Sequence, residues 1–436
     1  TGPECGLFII GMIQESTQTK KVVVIGAGQA GLSASHYLCK SGIDHVVLER
    51  SQRFHSWKKD RWDSFCLVTP NWQCRLPDWH YRGDDPNGYM VKNDIVDYLE
   101  GFANSFQPPI REGVRVIDVD RCPNGKISIT TSETRWIADF VILATGSYDL
   151  QVKPDFAKNL NPDIVQVSSK SYKRPSDIPD GTCLVIGTGQ SGVQMMEDLW
   201  IEGRDVRLSV GSAPRSPRIY RGRDATDWLY EIGEYSKTIE EQADPKRTEA
   251  KTNHYLSGRD GGHEIDLRDF ALKGLKLYGT VSNIENDQIY FKSNLEENLD
   301  QADESYLKIC RMIDDYIDTE GIDAPVKPVF TKKWKPKVET VSLNMKTEGI
   351  TSILWCTGFK PDYSWLKIDC LDIRGRPIHQ RGITPEFGVY FLGMNWLNTW
   401  GSGRFLSVAD DAEFLVEDIK NKLSIIDSSK NIAVSL

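Results

Sequence analysis

Two glycine-rich runs of the same pattern constrain the fold of this chain more than any other feature. Residues 26–31 read Gly-Ala-Gly-Gln-Ala-Gly, and residues 187–192 read Gly-Thr-Gly-Gln-Ser-Gly. A Gly-x-Gly-x-x-Gly run between a buried strand and a helix is typical of βαβ units that bind the pyrophosphate of a dinucleotide. Two such units in one chain predict two bound dinucleotides, with electron transfer between them.

The segments around the first run have the character that a βαβ unit requires. Residues 21–25 are apolar and rich in β-branched side chains, which predicts a strand buried on both faces. Residues 29–41 predict a helix that Gly42 ends, and residues 45–48 predict the second strand. The N-terminus of the helix would supply free backbone N–H groups to a phosphate.

Each glycine of the first run has its own expected role. Gly26 would permit the tight turn, Gly28 would let the backbone approach the pyrophosphate, and Gly31 would allow the helix to pack closely on the strand. Glu49 ends the second strand, where its carboxylate can accept hydrogen bonds from both ribose hydroxyls of an adenosine. The simpler alternative is a glycine-rich turn with Glu49 as a solvated strand end.

The second run repeats this plan but ends differently. Residues 182–186 and 206–210 predict strands with a helix between them. No acidic residue follows the second strand, and Ser212, Arg215 and Arg218 stand there instead. Arginine binds phosphate through paired hydrogen bonds, whereas a carboxylate would repel a 2′-phosphate. The second nucleotide is therefore predicted to be NADPH, unless the arginines are ordinary surface charges.

Composition narrows the remaining classes. The net charge of −9 and the pI near 5.5 argue against nucleic acid as a partner, because binding phosphates requires a basic surface. The apolar run at residues 7–13 is too short to span a bilayer and lacks a basic leader. It therefore predicts neither a membrane span nor a signal peptide.

The nine cysteines are scattered and include no Cys-x-x-Cys pair and no metal-ligand spacing. They predict reduced thiols in a cytoplasmic protein that holds no metal. Flavin disulfide reductases also carry two dinucleotide runs, but they need a close pair of redox-active cysteines. The nearest pair here, Cys66 and Cys74, lies in an aromatic-rich loop, so that class is disfavoured.

The order of the segments resembles the flavin-containing (class B) monooxygenases over nearly the whole chain. Besides the two glycine runs, the matching segments are Ala-Thr-Gly at residues 144–146 and Cys-Thr-Gly-Phe-x-Pro-Asp at residues 356–362. Residues 67–77, 218–224 and 257–262 are similar to a bacterial branch of uncharacterised FAD-dependent oxidoreductases.

One motif of that family is altered in this chain. The family's linker, Phe-x-Gly-x-x-x-His-x-x-x-Tyr, falls on residues 162–172, where only Tyr172 remains and Ser168 replaces the histidine. In the family this linker helps to seat the nicotinamide nucleotide and to hold the oxygenated flavin. A simple loop turn is the alternative interpretation of this segment.

The resemblance implies an α/β fold with two Rossmann-like dinucleotide-binding domains, the NADPH domain being inserted into the FAD domain. Two further strand runs, residues 140–146 and 353–359, each end in Thr-Gly and are expected beside a nucleotide. The C-terminal hundred residues, with a helix from about residue 407 to 422, are expected to complete the sheet that begins at residue 21. The predicted boundaries are 18–165 and 336–436 for the FAD-binding domain and 166–335 for the NADPH-binding domain, with an irregular insertion at 221–325.

The activity implied by the resemblance is a monooxygenase that uses FAD, NADPH and dioxygen. It would oxygenate a soft nucleophilic nitrogen or sulfur of a small organic metabolite through a flavin C4a-hydroperoxide. The alternatives are an NADPH oxidase or flavin oxidoreductase that inserts no oxygen, a single-component flavin-dependent halogenase, and a non-enzymatic scaffold. The resemblance leaves room for a homodimer.

The loop at residues 57–79 is the predicted front face of the flavin, because its aromatic side chains can exclude water and its polar side chains can donate hydrogen bonds. The resemblance of this loop to the family's flavin-contact segment favours Asn71 as the catalytic residue, with the capping of a turn as its structural alternative. The predicted cofactor-binding residues are Gly26, Gly28, Gln29, Ala30, Gly31, Glu49, Arg50, Trp57, Thr69, Thr145, Gly146, Gly187, Gly189, Gln190, Ser191, Gly192, Ser212, Arg215, Thr357, Gly358, Gly393 and Ser402.

The insertion offers fewer signals. A hairpin is predicted from residue 275 to 291, and a helix from about residue 294 to 316 carries a broad apolar stripe that is expected to be core. Arg223 and Asp224 are expected to form a surface ion pair, with substrate contact as the alternative.

Overall fold

The structure, a computed structural model, describes the backbone of residues 17–434 and the side chains of residues 17–428. The apolar run at residues 7–13 lies outside the described residues. Within them, no helix combines the length and apolar character needed to cross a bilayer.

The secondary structure elements follow one another as the two βαβ units predict. The first stretch comprises β1 (Thr17–Ile25), α1 (Gln29–Lys40), β2 (His45–Glu49), α2 (His55–Lys58), β3 (Arg75–Leu76), β4 (Trp79–His80), α3 (Lys92–Phe106), β5 (Ile110–Glu112), β6 (Val116–Arg121), β7 (Ile127–Thr131) and β8 (Arg135–Leu143). The second comprises β9 (Leu150–Gln151), β10 (Val165–Ser168), β11 (Thr182–Ile186), α4 (Gln190–Ile201), β12 (Val206–Ser209), β13 (Ile219–Tyr220), β14 (Arg223–Asp224), α5 (Ala225–Glu231), α6 (Pro245–Ala250) and α7 (Leu267–Leu272). The last comprises β15 (Lys276–Tyr278), β16 (Val281–Glu285), β17 (Gln288–Phe291), α8 (Leu295–Glu320), β18 (Ser342–Asn344), β19 (Ile350–Trp355), β20 (Phe359–Lys360), β21 (Val389–Phe391) and α9 (Val408–Val434). Short 3-10 helices lie at Asn71–Gln73, Asp155–Asn159, Pro175–Asp177 and Arg259–Gly261.

The first sheet holds the first glycine run. Its strand order is β5-β2-β1-β8-β7-β6, and β1, β2, β5 and β8 are mutually parallel where they pair. The strand β7 pairs only with the N-terminal half of β8. Along its C-terminal half, β8 pairs with β21, where Val389 lies opposite Val141. The C-terminal region therefore does return to the sheet begun by β1, as the sequence predicts, and α9 packs against α1.

The second sheet is entirely parallel, with the order β10-β19-β11-β12-β15. The strand β19 corresponds to the second Thr-Gly run, which the sequence assigned to the first sheet. It lies in the second sheet because Ile350–Trp355 pairs with β10 on one side and β11 on the other. The predicted return to the FAD-binding domain at residue 336 therefore disagrees with the strand pairing, because β19 still belongs to the second sheet.

The insertion is more ordered than its composition indicates. The predicted hairpin at residues 275–291 is divided: β15 joins the second sheet, whereas β16 and β17 form an antiparallel hairpin that β18 extends. The predicted helix is present as α8, four residues longer at its C-terminal end than expected. Its apolar stripe is buried, including Leu299, Ile309 and Ile313, so the interpretation of this stripe as core is confirmed.

Candidate functional site

The first glycine run forms a tight turn between β1 and α1. Gly26 has a φ of +107°, and a Cβ there would come within 2.5 Å of the carbonyl oxygen of Ala144. A Cβ at Gly31 would overlap the carbonyl oxygen of Gly26. Gly28 is different, because a Cβ at this position would meet nothing within 4 Å. The turn therefore needs glycine at two positions for its own packing, and at Gly28 it leaves open space where a pyrophosphate can approach.

Glu49 is held by the backbone around the turn. Its two carboxylate oxygens accept hydrogen bonds from Ala27 N and Ser51 N, each at 2.9 Å. Each oxygen retains further acceptor capacity, and the side chain faces the cleft. This position agrees with the predicted role of Glu49 as the acceptor of ribose hydroxyls.

A cleft of about 400 Å³ opens beside this turn. The predicted cofactor-binding residues that line it are Gly26, Gly28, Gln29, Ala30, Glu49, Arg50, Trp57, Thr69, Thr145, Gly146, Gln190 and Gly393. Among the described residues, Thr145 Oγ1 is buried without a hydrogen-bond partner. A bound group with a polar edge would satisfy it, which supports the fit of a flavin nucleotide here.

Three aromatic side chains, Trp57, Phe65 and Phe405, form one wall of the cleft, called here the aromatic wall. Trp57 stacks on Phe405 with ring centroids 5.3 Å apart and meets the edge of Phe65 at 6.1 Å. Its indole Nε1 donates to Gln29 Oε1 at 3.0 Å, and Gln29 Nε2 in turn donates to the Gly403 carbonyl oxygen at 3.2 Å. These bonds fix the wall to the N-terminus of α1, so the predicted position of Trp57 at the cofactor is supported.

The second glycine run reproduces the first turn. Gly187 has a φ of +105°, and a Cβ there would lie 2.5 Å from the Cys356 carbonyl oxygen. A Cβ at Gly192 would overlap Gly187, whereas one at Gly189 would meet only Thr252, at 3.7 Å. Each Thr-Gly run therefore lies beside a glycine-rich turn, because β8 ends next to Gly26 and β19 ends next to Gly187.

The helix that follows this turn also reaches the cleft. Gln190 and Gln194 of α4 both line it, and Gln190 exchanges hydrogen bonds with the backbone N–H and carbonyl of Leu256. Gln194 is 6% exposed, and its Oε1 has no partner among the described residues. The cleft thus lies between the two glycine-run units, with polar groups of the second unit directed into it.

The predicted phosphate-binding role of Arg215 is not supported by its surroundings. Its side chain is 5% exposed and lies 3.0 Å from an oxygen of Asp303 and 3.5 Å from one of Asp266, with its guanidinium over the Tyr306 ring. A guanidinium enclosed by two carboxylates and an aromatic ring is not free to bind a 2′-phosphate. These ion pairs could not be predicted from the sequence, because Asp266 and Asp303 belong to distant parts of the insertion. Ser212, by contrast, is exposed after β12.

Replacing Arg215 with methionine should therefore destabilise the protein without changing its choice of nucleotide. Breaking a buried ion pair leaves a carboxylate without a compensating charge, which typically costs about 3–5 kcal/mol of stability. We expect a loss near the lower end of this range, because Arg268, 2.8 Å from Asp303, would still compensate that carboxylate. Thermal unfolding and the ratio of KM values for NADPH and NADH are the measurements. The matched control is Arg311→Met, because the exposed Arg311 forms its only ion pair among the described side chains with the exposed Glu304. A changed KM ratio with unchanged stability would restore the original assignment.

Arg218 is also committed to the fold. It is 1% exposed, donates to the Val68 carbonyl oxygen at 2.8 Å and pairs with Asp224 at 3.2 Å. The expected ion pair between Arg223 and Asp224 is therefore wrong, since Arg223 pairs instead with Glu231 at 2.6 Å. These contacts join the loop after α2 to the insertion.

Asn71, the predicted catalytic residue, is placed away from the cleft. Its Nδ2 donates to the Asp85 carbonyl oxygen at 2.9 Å, and its Oδ1 accepts from Met90 N at 2.7 Å. The side chain is 4% exposed and does not line the cleft in the described structure. Both polar atoms hold the loop at residues 85–90, so the turn-forming alternative describes Asn71 better.

The remaining predicted residues divide between the two units. Thr357 and Gly358 follow β19 at the second turn, where Thr357 Oγ1 donates to Val152 O. Gly393 packs closely against Ala30, because a Cβ at position 393 would lie 2.5 Å from the Ala30 Cβ. Ser402 is fully buried, and its Oγ accepts from the backbone N–H groups of residues 398 and 399 at 3.0 Å each. Ser402 therefore shapes the loop that precedes Phe405 of the aromatic wall, and it does not line the cleft.

The altered linker is a structural element here. Tyr172 is fully buried, and its hydroxyl donates to Asp198 of α4 at 2.6 Å. Ser168 bonds to Ser171 at 3.0 Å within a turn and does not line the cleft in the described residues. The hydroxyl of Ser168 thus takes no visible part in the site, in contrast to the role that the family gives to histidine at this place.

The two neighbouring cysteines of the aromatic loop are poor nucleophiles. Burial raises the pKa of Cys66 to about 11 and that of Cys74 to about 12, because a low-dielectric surrounding disfavours the thiolate. Both are free thiols. Their environment is unlike that of a redox-active pair.

Two arginines are among the cleft residues that were not predicted from the sequence. Arg61 and Arg404 both line the cleft, Arg61 beside the aromatic wall and Arg404 after the loop of Ser402. Arg61 lies within the aromatic-rich loop and Arg404 directly follows the Gly-Ser-Gly segment, so their positions carried a signal. A single arginine in a loop is so common that this signal was not specific.

Comparisons with known proteins agree with this arrangement. The family profile described as pyridine nucleotide-disulphide oxidoreductase matches residues 23–307. A protein of Geobacillus kaustophilus named uncharacterized oxidoreductase CzcO-like is 31% identical over 92% of this chain and 98% of its own length. The indole-3-pyruvate monooxygenase YUCCA6 of Arabidopsis thaliana is 30% identical over 44% of this chain and 48% of its own length.

Among solved structures, a flavin-containing monooxygenase from Stenotrophomonas maltophilia has a similar fold. Its TM-score is 0.65 at 18% identity, over 93% of this chain and 99% of that one. The chain belongs to the pyridine nucleotide-disulphide oxidoreductase family, which makes it a flavin-dependent enzyme, and its fold is similar to that of a flavin-containing monooxygenase.

Proposed function

We propose that the protein is an FAD- and NADPH-dependent monooxygenase that oxygenates a soft nitrogen or sulfur centre of a small organic metabolite. The observation that carries this proposal is the cleft between the two glycine-run turns, with an aromatic wall on one side. In the balanced reaction, NADPH, a proton, dioxygen and substrate give NADP⁺, water and the oxygenated product. The electron pair comes from NADPH, and one oxygen atom of dioxygen enters the product.

The first turn and its surroundings fit FAD. Gly28 leaves the space for the pyrophosphate, the N-terminus of α1 supplies N–H donors, and Glu49 accepts from the ribose. Thr145 Oγ1 offers an unpaired hydroxyl in the same cleft. When bound, the flavin supplies the storage of the electron pair and the reaction with dioxygen.

The second turn fits the nicotinamide nucleotide in the same way, with Gly189 as the open position and the N-terminus of α4 as the donor. Gln190 and Gln194 border the cleft from this side. Ser212 stands after β12, where an acidic side chain would repel the 2′-phosphate of NADPH, so this position is compatible with NADPH.

Besides binding its cofactors, a monooxygenase must exclude water from its site, and the lining of this cleft is suited to that. The aromatic wall presents apolar faces along the cleft, and Leu67 and Val68 extend the apolar lining. A dry surrounding prevents the loss of the activated oxygen as hydrogen peroxide.

The position of Ser168 favours a second candidate function, an NADPH oxidase that releases hydrogen peroxide without oxygen insertion. Its hydroxyl is bonded within its own turn, so the linker supplies no hydrogen-bond donor to the cleft.

Measurement of oxygen uptake and peroxide yield separates the two functions. Flavin-loaded protein with NADPH and a suitable thioether or amine should release less than one hydrogen peroxide per NADPH consumed. An NADPH oxidase would release one peroxide per NADPH whatever compound is offered.

A further inference from the structure

Two arginines of the cleft differ from the other buried arginines in having no carboxylate partner. Arg215, Arg218 and Arg268 are each paired with aspartate at distances of 2.8 to 3.2 Å. No ion pair to Arg61 or Arg404 exists among the side chains of residues 17–428. The Asp60 carboxylate acts on Arg61 only from beyond ion-pair distance. In a protein with a net charge of −9, two half-buried cations with no carboxylate at ion-pair distance among the described side chains require an explanation.

Arg61 is held by ring faces. Its guanidinium carbon lies 5.0 Å from the ring centroid of Trp57 and 5.4 Å from that of Phe65. In the part of the chain with described side chains, its guanidinium makes no hydrogen bond. Stacking leaves the N–H groups at the edge of the guanidinium free to donate, in the plane where a carboxylate binds with two hydrogen bonds.

Arg404 is oriented by neutral groups. Its guanidinium lies 4.2 Å from the Trp400 ring, donates to the Trp400 carbonyl oxygen and bonds to Asn253 Oδ1 at 2.7 Å. Trp400 itself stacks on Tyr235 with ring centroids 4.0 Å apart, which makes its position rigid. Because Asn253 belongs to the insertion, Arg404 bridges the two units across the cleft.

The same neighbour connects the two arginines. The Tyr148 hydroxyl, which also lines the cleft, interacts electrostatically with both guanidiniums. Burial lowers the pKa of each arginine. Tyr148 opposes this effect at both of them, and the Asp60 carboxylate opposes it at Arg61 as well. Both guanidiniums are thus desolvated and line the same cleft, where an anion is stabilised more strongly than at the surface.

We propose that Arg61 and Arg404 bind the carboxylate of the substrate, so that the protein acts on organic acids. The inference rests on the proposed function, because it identifies the substrate class of the same cleft. The soft nitrogen or sulfur of such an acid would pack on the aromatic wall while its carboxylate lies between the two guanidiniums. A nucleotide phosphate is a weaker candidate for this region, because each pyrophosphate turn already has a helix N-terminus as its donor.

The test compares an acid with its amide in the flavin-loaded protein. The probes are 4-(methylthio)phenylacetate and (methylthio)acetate, two carboxylates that carry a thioether sulfur, each with the corresponding amide. Binding is measured by calorimetry without NADPH. At least one acid should bind the wild type about 10- to 100-fold more tightly than its amide, as expected for charge-assisted hydrogen bonds. Arg61→Gln and Arg404→Gln should abolish this preference, and Arg61→Lys should restore part of it.

Three further readouts make the result specific. Arg374→Gln is the matched control, because Arg374 is an exposed arginine away from the cleft, and it should keep the preference of the wild type. The flavin content and the KM for NADPH should be unchanged in the glutamine variants. Equal binding of every acid and its amide by the wild type would overturn the proposal, as would loss of flavin or a raised KM for NADPH in these variants. Acid preference without any oxygenated product would retain the carboxylate site and reject the monooxygenase function.

Discussion

Replacing Gly28 with leucine will give a folded protein that has lost its flavin. The φ of −82° at Gly28 is accessible to any residue, and its Cβ would enter open space, so the chain itself tolerates the change. That open space is where the pyrophosphate must lie against the backbone N–H groups of α1. We expect the bound flavin per protein chain, measured by absorbance after gel filtration, to fall at least about tenfold, which corresponds to only about 1.4 kcal/mol of lost affinity.

The matched control is Gly31→Leu in the same turn. A Cβ at Gly31 would overlap the Gly26 carbonyl oxygen, so this variant should lose its folded structure as well as its flavin. Circular dichroism and thermal unfolding distinguish the two variants. Full flavin content in folded Gly28→Leu would show that the cofactor lies elsewhere.

Replacing Gly189 with leucine should give the complementary result, a protein that keeps its flavin but is not reduced by NADPH. A Cβ at Gly189 meets only Thr252, at 3.7 Å, and the φ of −61° is unstrained for leucine. The side chain would fill the approach to the N-terminus of α4. The rate of flavin reduction by NADPH should fall at least about a hundredfold, whereas dithionite should still reduce the flavin completely.

Gly192→Leu is the control for this turn, because its Cβ would overlap Gly187 and should unfold the second unit. The two open-position variants thus separate the two cofactors, each in a folded protein. Normal reduction of Gly189→Leu by NADPH would exclude the second turn as the nucleotide site.

The parts of the fold that depend on local sequence could be predicted. A glycine run between an apolar strand and a helix has few structural alternatives, so both pyrophosphate turns, the position of Glu49 and the start of α9 follow from the sequence. The two Thr-Gly runs lie beside the two glycine-rich turns, and their place beside bound nucleotides stays a prediction. Which sheet receives β19 depends on pairing with β10 and β11, which are distant in the sequence, and a strand run alone does not reveal it.

The errors in the site have a common physical cause. Arg215 and Asn71 have the right side-chain chemistry for binding, but their partners come from residues that are distant in the chain, such as Asp303, or from the backbone of a loop. A buried polar side chain is normally satisfied by the protein itself, and the sequence does not show which ones are. The reverse holds for Arg61 and Arg404. Only the folded protein shows that no acidic group among the described side chains lies at ion-pair distance from either of them.

The fate of molecular oxygen tests the central claim most directly. Flavin-loaded protein would be supplied with NADPH, ¹⁸O₂ and the panel of sulfur-containing acids and amides, and the products would be analysed by mass spectrometry together with NADPH consumption and peroxide yield. The monooxygenase account predicts a product carrying a single ¹⁸O atom, formed in proportion to NADPH consumed, with peroxide below the NADPH consumed. One peroxide per NADPH with every compound, and no ¹⁸O in any of them, would contradict it.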